Sequence, residues 1–236
     1  MVLKDKKVII FDLDGTLIDS LGMWNDVDSY VIKEVSDYVC DLEVIMNDRN
    51  NFFKNNVGGD IYLNYEKYLI DKYNLEIDID SFHKLRWEVS KRYLRTQMDF
   101  KPFAVEFLNL LKDNNYRLAL ATTTTRATID CYMNENEKMS SKCNFYELFD
   151  LILTRDDVSM SKPHPEVYLK VLELMNVKSN ECIVFEDSLS GVEAANNANI
   201  DVVCIYDKYA VNDHAKMKLL TRYPFYDYKT LINKIN

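Results

Sequence analysis

Five short apolar runs punctuate the chain, at residues 7–11 (KVIIF), 117–121 (RLALA), 149–153 (FDLIL), 182–185 (CIVF) and 202–205 (VVCI). They are continuous rather than alternating, which predicts strands covered on both faces. Between the later runs apolar residues recur at helical spacing, as in Phe103, Phe107, Leu110 and Leu111, and again in Val167, Val171 and Leu174. Pro102 suits the first turn of the earlier of these helices. Strand alternating with helix predicts an α/β fold built on a doubly wound parallel sheet.

One interval breaks the rhythm. Between the first two runs the pattern is helical: Leu21, Trp24, Val27, Val31 and Val35 share one face, Ile61, Tyr65, Tyr68 and Leu69 a second, and Phe82, Leu85, Val89 and Tyr93 a third. The interval is too long for a crossover, so residues 18–98 are expected to form an inserted helical cap domain, with residues 1–17 and 99–236 forming the α/β core. Such an insert is expected above the carboxyl end of the first strand, the edge where open α/β sheets bind ligands. The last thirty residues are rich in tyrosine and are expected to pack on the core, ending in a short helix near Leu231.

Composition narrows the function. The chain has 236 residues and a formal net charge of -9, which disfavours a grip on nucleic acid but leaves room for a small phosphorylated ligand held by a few local cations. No apolar stretch reaches the length of a signal or membrane-spanning segment, so the expectation is a soluble cytoplasmic protein. Cys40, Cys131, Cys143, Cys182 and Cys204 lack CxxC spacing and read as reduced thiols. His83, His164 and His214 lack zinc-ligand spacing and are assigned to no metal.

The chemistry gathers at strand ends. Asp12 and Asp14 follow the first strand, Thr122 and Thr123 the second, Lys162 lies in SKPHPEVY, and Glu186-Asp187 follow the fourth strand. In a parallel sheet these ends converge. Carboxylates, a hydroxyl and an ammonium brought together suit Mg²⁺ and a phosphoryl group, because hard oxygens hold Mg²⁺ while Lys and Thr neutralise and hydrogen-bond phosphate oxygens.

Through DLDGTLIDS, LALATT, SKPHPEVY and FEDSLSGVEAA the chain resembles the haloacid dehalogenase-like hydrolases, most of all their small-molecule phosphatases and β-phosphoglucomutase-like members. The resemblance implies a Rossmann-like core with a helical cap. It implies Asp12 as nucleophile forming an aspartyl-phosphate and Asp14 as general acid and base. It implies Thr122, the Thr123 amide at a helix start and Lys162 as phosphate ligands. The implied metal site holds Mg²⁺ by Asp12, Asp187 and the backbone carbonyl of Asp14, with Glu186 either a further ligand or an outer acceptor.

The expected reaction is Mg²⁺-dependent hydrolysis of a small phosphate monoester, a sugar phosphate or similar metabolite. A phosphosugar mutase and a non-catalytic phospho-ligand binding protein are the alternatives. The presence of Asp14 argues against a dehalogenase, and the loop NNVGGDIYLNY, with no basic residue between Asn55 and Asn64, weakens the mutase reading. Trp24, Asn25, Asp28, Asn56, Gly58, Gly59 and Tyr62 are candidate substrate residues, with Arg126 evenly poised between a substrate contact and a surface charge. Oligomeric state is not legible.

Overall fold

The computed structural model describes residues 3–56 and 60–235. Val8–Phe11, four apolar residues with no solvent exposure, form β1, followed by β2 (Arg117–Ala121), β3 (Leu151–Leu153), β4 (Cys182–Glu186) and β5 (Asp201–Cys204). All pairings are parallel, in the order β3-β2-β1-β4-β5. Successive strands run outward from β1 in both directions, so the strand order reverses beside β1, the place where open α/β sheets form a crevice.

The chain divides into two compact units, Met1–Ser20 with Met98–Asn236, and Leu21–Gln97. The second holds α1 (Met23–Ser36), α2 (Leu42–Asn55), α3 (Ile61–Lys72) and α4 (Ile79–Thr96). The first holds the sheet and α5 (Ala104–Asp113), α6 (Arg126–Asn134), α7 (Glu137–Ser140), α8 (Phe145–Leu148), α9 (Glu166–Leu174), α10 (Leu189–Asn197), α11 (His214–Leu220) and α12 (Tyr228–Ile235). Alternation along β1 sends side chains to two covered faces. Val8 and Ile10 join a core with Val167, Tyr168 and Val171 of α9 and Val192 of α10. Phe11 stacks on Phe185 at 4.9 Å and meets Phe107 of α5 at 6.2 Å, and Phe107 touches Tyr228 of α12 at 5.4 Å. Tyr226, Tyr228 and Leu231 of the tyrosine-rich tail are buried, whereas Tyr206 is exposed.

Several boundaries differ from the sequence pattern. β3 starts two residues late because Phe149 terminates α8, a turn capped by Asn144. Pro102 lies in the turn before α5, whose N-cap is Phe103 at φ 64°, and Phe103 is exposed. Leu174 is 61% exposed; Met175 takes the buried place expected of it. No helix among the described residues is long and apolar enough to cross a membrane, and all five cysteines are buried free thiols.

Asp41, Asp60 and Asp78 cap α2, α3 and α4 of the helical unit, each side chain accepting from a first-turn amide. Its interior is not wholly apolar. The Arg86 guanidinium donates to Asp28 at 2.7 Å and to Glu66 at 3.3 Å, Arg49 and Tyr65 donate to the second oxygen of Asp28 at 3.1 and 2.9 Å, and His83 meets Glu66 at 2.8 Å. The Trp24 ring lies within reach of both guanidinium groups, 4.8 Å from Arg86 and 5.6 Å from Arg49. Arg86 is buried where the pattern expected the neighbouring Leu85, because two buried carboxylates compensate its charge.

Candidate active site

The register fixes the site. Phe11 pairs with Leu120 on one side and Phe185 on the other, so Asp12, Thr122 and Glu186 all emerge at the same edge. The ladder continues one step, the Asp12 amide donating to the Phe185 carbonyl at 3.0 Å and the Thr122 amide to Leu153 at 3.0 Å. After Asp12 the chain makes a tight turn in which Gly15 adopts φ 87°, a left-handed conformation that favours glycine. Gly15 donates to the Ile18 carbonyl at 2.9 Å, and the departing strand at Ile18 bridges the returning chain at Phe100.

Lys162 reaches the sheet edge from the loop before α9. Its ammonium donates to Asp12 Oδ1 at 2.7 Å, Glu186 Oε1 at 2.7 Å and the Ala121 carbonyl at 2.9 Å, tying β1, β2 and β4 together. Burial alone would lower its pKa, but Asp12 and Glu186 outweigh that and hold the ammonium well above the ordinary lysine value.

Glu186 is saturated with donors. Oε1 accepts from Lys162 and from the Tyr168 hydroxyl at 3.0 Å, while Oε2 accepts from the Asp187 and Ser188 amides at 3.0 and 3.1 Å and the Ser188 hydroxyl at 3.0 Å. Gly191 in the first turn of α10 makes room for it: a Cβ there would fall 1.8 Å from Oε1.

Asp12, Glu186 and Asp187 are all buried, with ligand-capable atoms within 4.8 Å of one another. Asp187 accepts from Thr16 Oγ1 at 2.7 Å, and the Thr16 carbonyl accepts from Tyr228 at 3.0 Å. Burial, only partly offset by Lys162, pushes the Asp12 carboxyl up to about 7, and burial with the charges of Glu186 and Asp12 raises Asp187 well above the carboxylate range. One ammonium does not balance three buried carboxylates. The cluster is short of positive charge, and its hard oxygen donors suit a divalent cation.

Asp14 points to a different set of partners. Its Oδ1 accepts from Ser20 Oγ at 2.6 Å and from Tyr132 Oη of α6 at 3.2 Å. Burial raises its pKa, against the pull of these hydrogen bonds.

Thr122 is buried at the end of β2 and accepts from the Thr124 amide at 3.1 Å. Thr123 lies three residues before α6, whose N-cap is Thr125, so the expected helix start at Thr123 falls in the preceding turn. The Arg126 guanidinium donates to the Ile152 carbonyl at 3.0 Å and pairs with Asp157 at 3.5 Å, anchoring α6 to the end of β3. Trp24, Asn25 and Asp28 belong to the helical unit, the last two buried there and Trp24 partly exposed. Tyr62 and Asn56 are exposed on that unit, and Gly58 and Gly59 lie outside the described residues.

The sequence pattern missed Ser20, Tyr132 and Tyr168. Ser20 and Tyr168 lie inside the motifs DLDGTLIDS and SKPHPEVY, and the hydroxyl beside a cluster of charges is the signal that marks them. Tyr132 sits in a helix with no motif and had none.

Residues 9–205 match the family model of the haloacid dehalogenase-like hydrolases. A phosphorylated carbohydrates phosphatase of Thermotoga maritima is 29% identical over 196 residues, covering 83% of this chain and 82% of that protein. Protein CbbY of Rhodobacter capsulatus is 28% identical over 221 residues, 88% of each chain. Among solved structures, a Thermotoga maritima protein provisionally assigned as a β-phosphoglucomutase superposes with a TM-score of 0.78 at 25% identity, covering 97% of this chain and 98% of its own.

Proposed function

The chain belongs to the haloacid dehalogenase-like hydrolases, and we propose that its reaction is the Mg²⁺-dependent hydrolysis of a small phosphate monoester, a sugar phosphate or similar metabolite, through an aspartyl-phosphate on Asp12. The observation that carries this reading is one carboxylate, Asp12, held 2.7 Å from a buried ammonium, with a second carboxyl two residues on, Asp14, that accepts from the hydroxyls of Ser20 and Tyr132.

The two carboxyls divide the work. Asp12 attacks phosphorus, the bond to the leaving oxygen breaks with its electron pair going to that oxygen, and Asp14 delivers the proton that makes it an alcohol. Asp14, now a carboxylate, takes a proton from water as the water oxygen attacks phosphorus. The acyl-phosphate bond breaks, inorganic phosphate leaves, and both side chains return to their starting states. Lys162 and Thr122 hold the phosphoryl oxygens, and Lys162 compensates the charge that Asp12 and phosphate bring together.

Asp12, Asp187 and the Asp14 backbone carbonyl would hold Mg²⁺. When bound, the ion screens the nucleophile from the phosphoryl charge and stabilises charge developing on the phosphoryl oxygens. Glu186, with both oxygens already accepting hydrogen bonds, serves as an outer acceptor that positions Lys162.

The substrate class rests on the carbohydrate-phosphate activity named for the Thermotoga relative. The mutase remains the second reading, favoured by the fold likeness to a protein assigned as a β-phosphoglucomutase. A panel of sugar phosphates assayed with Mg²⁺ and with EDTA tests both. Mg²⁺-dependent phosphate release is expected; isomerisation of β-glucose 1-phosphate without phosphate release from any ester would transfer the assignment to the mutase.

A further inference from the structure

We propose that Tyr132 is a positioning residue for the acid-base step, one that fixes which oxygen of Asp14 exchanges the proton. The proposal rests on the reading of Asp14 as general acid and base given above. Two hydroxyls converge on one atom: Ser20 Oγ approaches Asp14 Oδ1 at 2.6 Å from the segment after β1, and Tyr132 Oη approaches the same oxygen at 3.2 Å from α6.

The phenol is held where it is needed. Tyr132 is 1% exposed, on a helix whose buried face also carries Thr128, Ile129, Cys131 and Met133. The start of that helix is pinned by the Thr125 cap, by the Arg126 amide donating to Asp156 at 2.8 Å and by the Arg126 guanidinium on Ile152 at 3.0 Å. A tyrosine has only two side-chain torsions to order, so a ring packed this tightly gives its hydroxyl a fixed direction. A buried phenol requires a hydrogen-bond partner, and this one has Asp14.

Two donors on Oδ1 stop rotation of the carboxyl about its Cβ–Cγ bond. They commit Oδ1 to accepting and leave Oδ2 to carry the proton to the leaving oxygen. Without the phenol the carboxyl loses the donor that α6 supplies, and a carboxyl freer to rotate spends part of its time with the proton turned away. Proton delivery matters most for a basic leaving group, because an acidic one departs as its anion unaided.

The test follows from that difference. In Tyr132→Phe, kcat/KM for phenyl phosphate should fall about tenfold while kcat/KM for p-nitrophenyl phosphate changes less than about twofold. Tyr132→Met, which also lacks the hydroxyl, replaces the Phe variant if that chain does not fold. An equal loss on both esters would mark a structural role and overturn the proposal, as would no loss on either. Asp14→Asn run in parallel separates the two claims. It should lose activity on phenyl phosphate more steeply than on p-nitrophenyl phosphate. Absence of that difference would remove the acid-base role of Asp14 itself, and the positioning role falls with it.

Discussion

The Lys162 ammonium lies 2.7 Å from Asp12 Oδ1 although 150 residues separate the two in the chain. Only the parallel register, which brings β1, β2 and β4 to one edge, makes that contact. Lys162 is also the sole cation bonded to this trio of buried carboxylates among the described residues. Replacing it by methionine removes the charge and keeps the bulk. Lys162→Met should lose turnover and about 3–5 kcal/mol of stability at neutral pH, the cost of leaving buried carboxylates unpaired. Urea unfolding should show the deficit shrinking as pH falls and the carboxyls protonate; a deficit independent of pH would argue against that cause.

A pH signature follows from Asp12. Its folded-state pKa of about 7 stands above the unfolded value of 3.8, so the metal-free protein takes up a proton on folding. Its stability contribution is therefore full below the unfolded value and is lost as pH rises through 7. A cation that supplies the missing charge should reverse this loss. Mg²⁺ should raise the melting temperature more at about pH 8 than at about pH 5.5, because protons compete with it for the same carboxylates. An equal rise at both values would contradict the assignment of Asp12 as a ligand.

Gly191 tests the second half of the lysine clamp. An alanine methyl there would fall 1.8 Å from Glu186 Oε1, so the carboxylate must move, and Lys162 with it. Gly191→Ala is expected to cost about 1–3 kcal/mol by overpacking and to lower kcat more than a surface substitution of equal stability cost. Assays at matched folded fraction decide the point.

Much of this site was legible because its parts are chemically loud. Two carboxylates after an apolar run, a lysine just before a pair of prolines and an acidic pair after a second run have no use in a buried sheet edge except together. The fold was legible for the same reason: continuous apolar runs require cover on both faces. What stayed hidden is polar and three-dimensional. Tyr132 lies 118 residues from Asp14 and looks like any helix tyrosine. Arg86, Asp28 and Glu66 form a buried core in the helical unit, where charged residues are read as surface. An apolar count also misplaced Leu174 and Phe103, because the turn geometry beside them decides which side chain turns inward.

That buried network carries its own expectation. Arg86→Leu leaves Asp28 and Glu66 without their shared guanidinium and should destabilise the protein by about 3–5 kcal/mol, whereas Arg49→Leu, at the rim of the same network, should cost less. Thermal unfolding of the two variants supplies the comparison; equal losses would contradict the ranking.

The central claim is that Asp12 carries the phosphoryl group, and acid-quenched turnover examined by peptide mass spectrometry tests it most directly. The wild-type protein should show a hydroxylamine-labile phosphate on the peptide containing Asp12. Asp12→Asn should show none, with turnover abolished and the fold retained. An Asp12→Asn protein that hydrolyses phosphate esters at the wild-type rate would contradict the account.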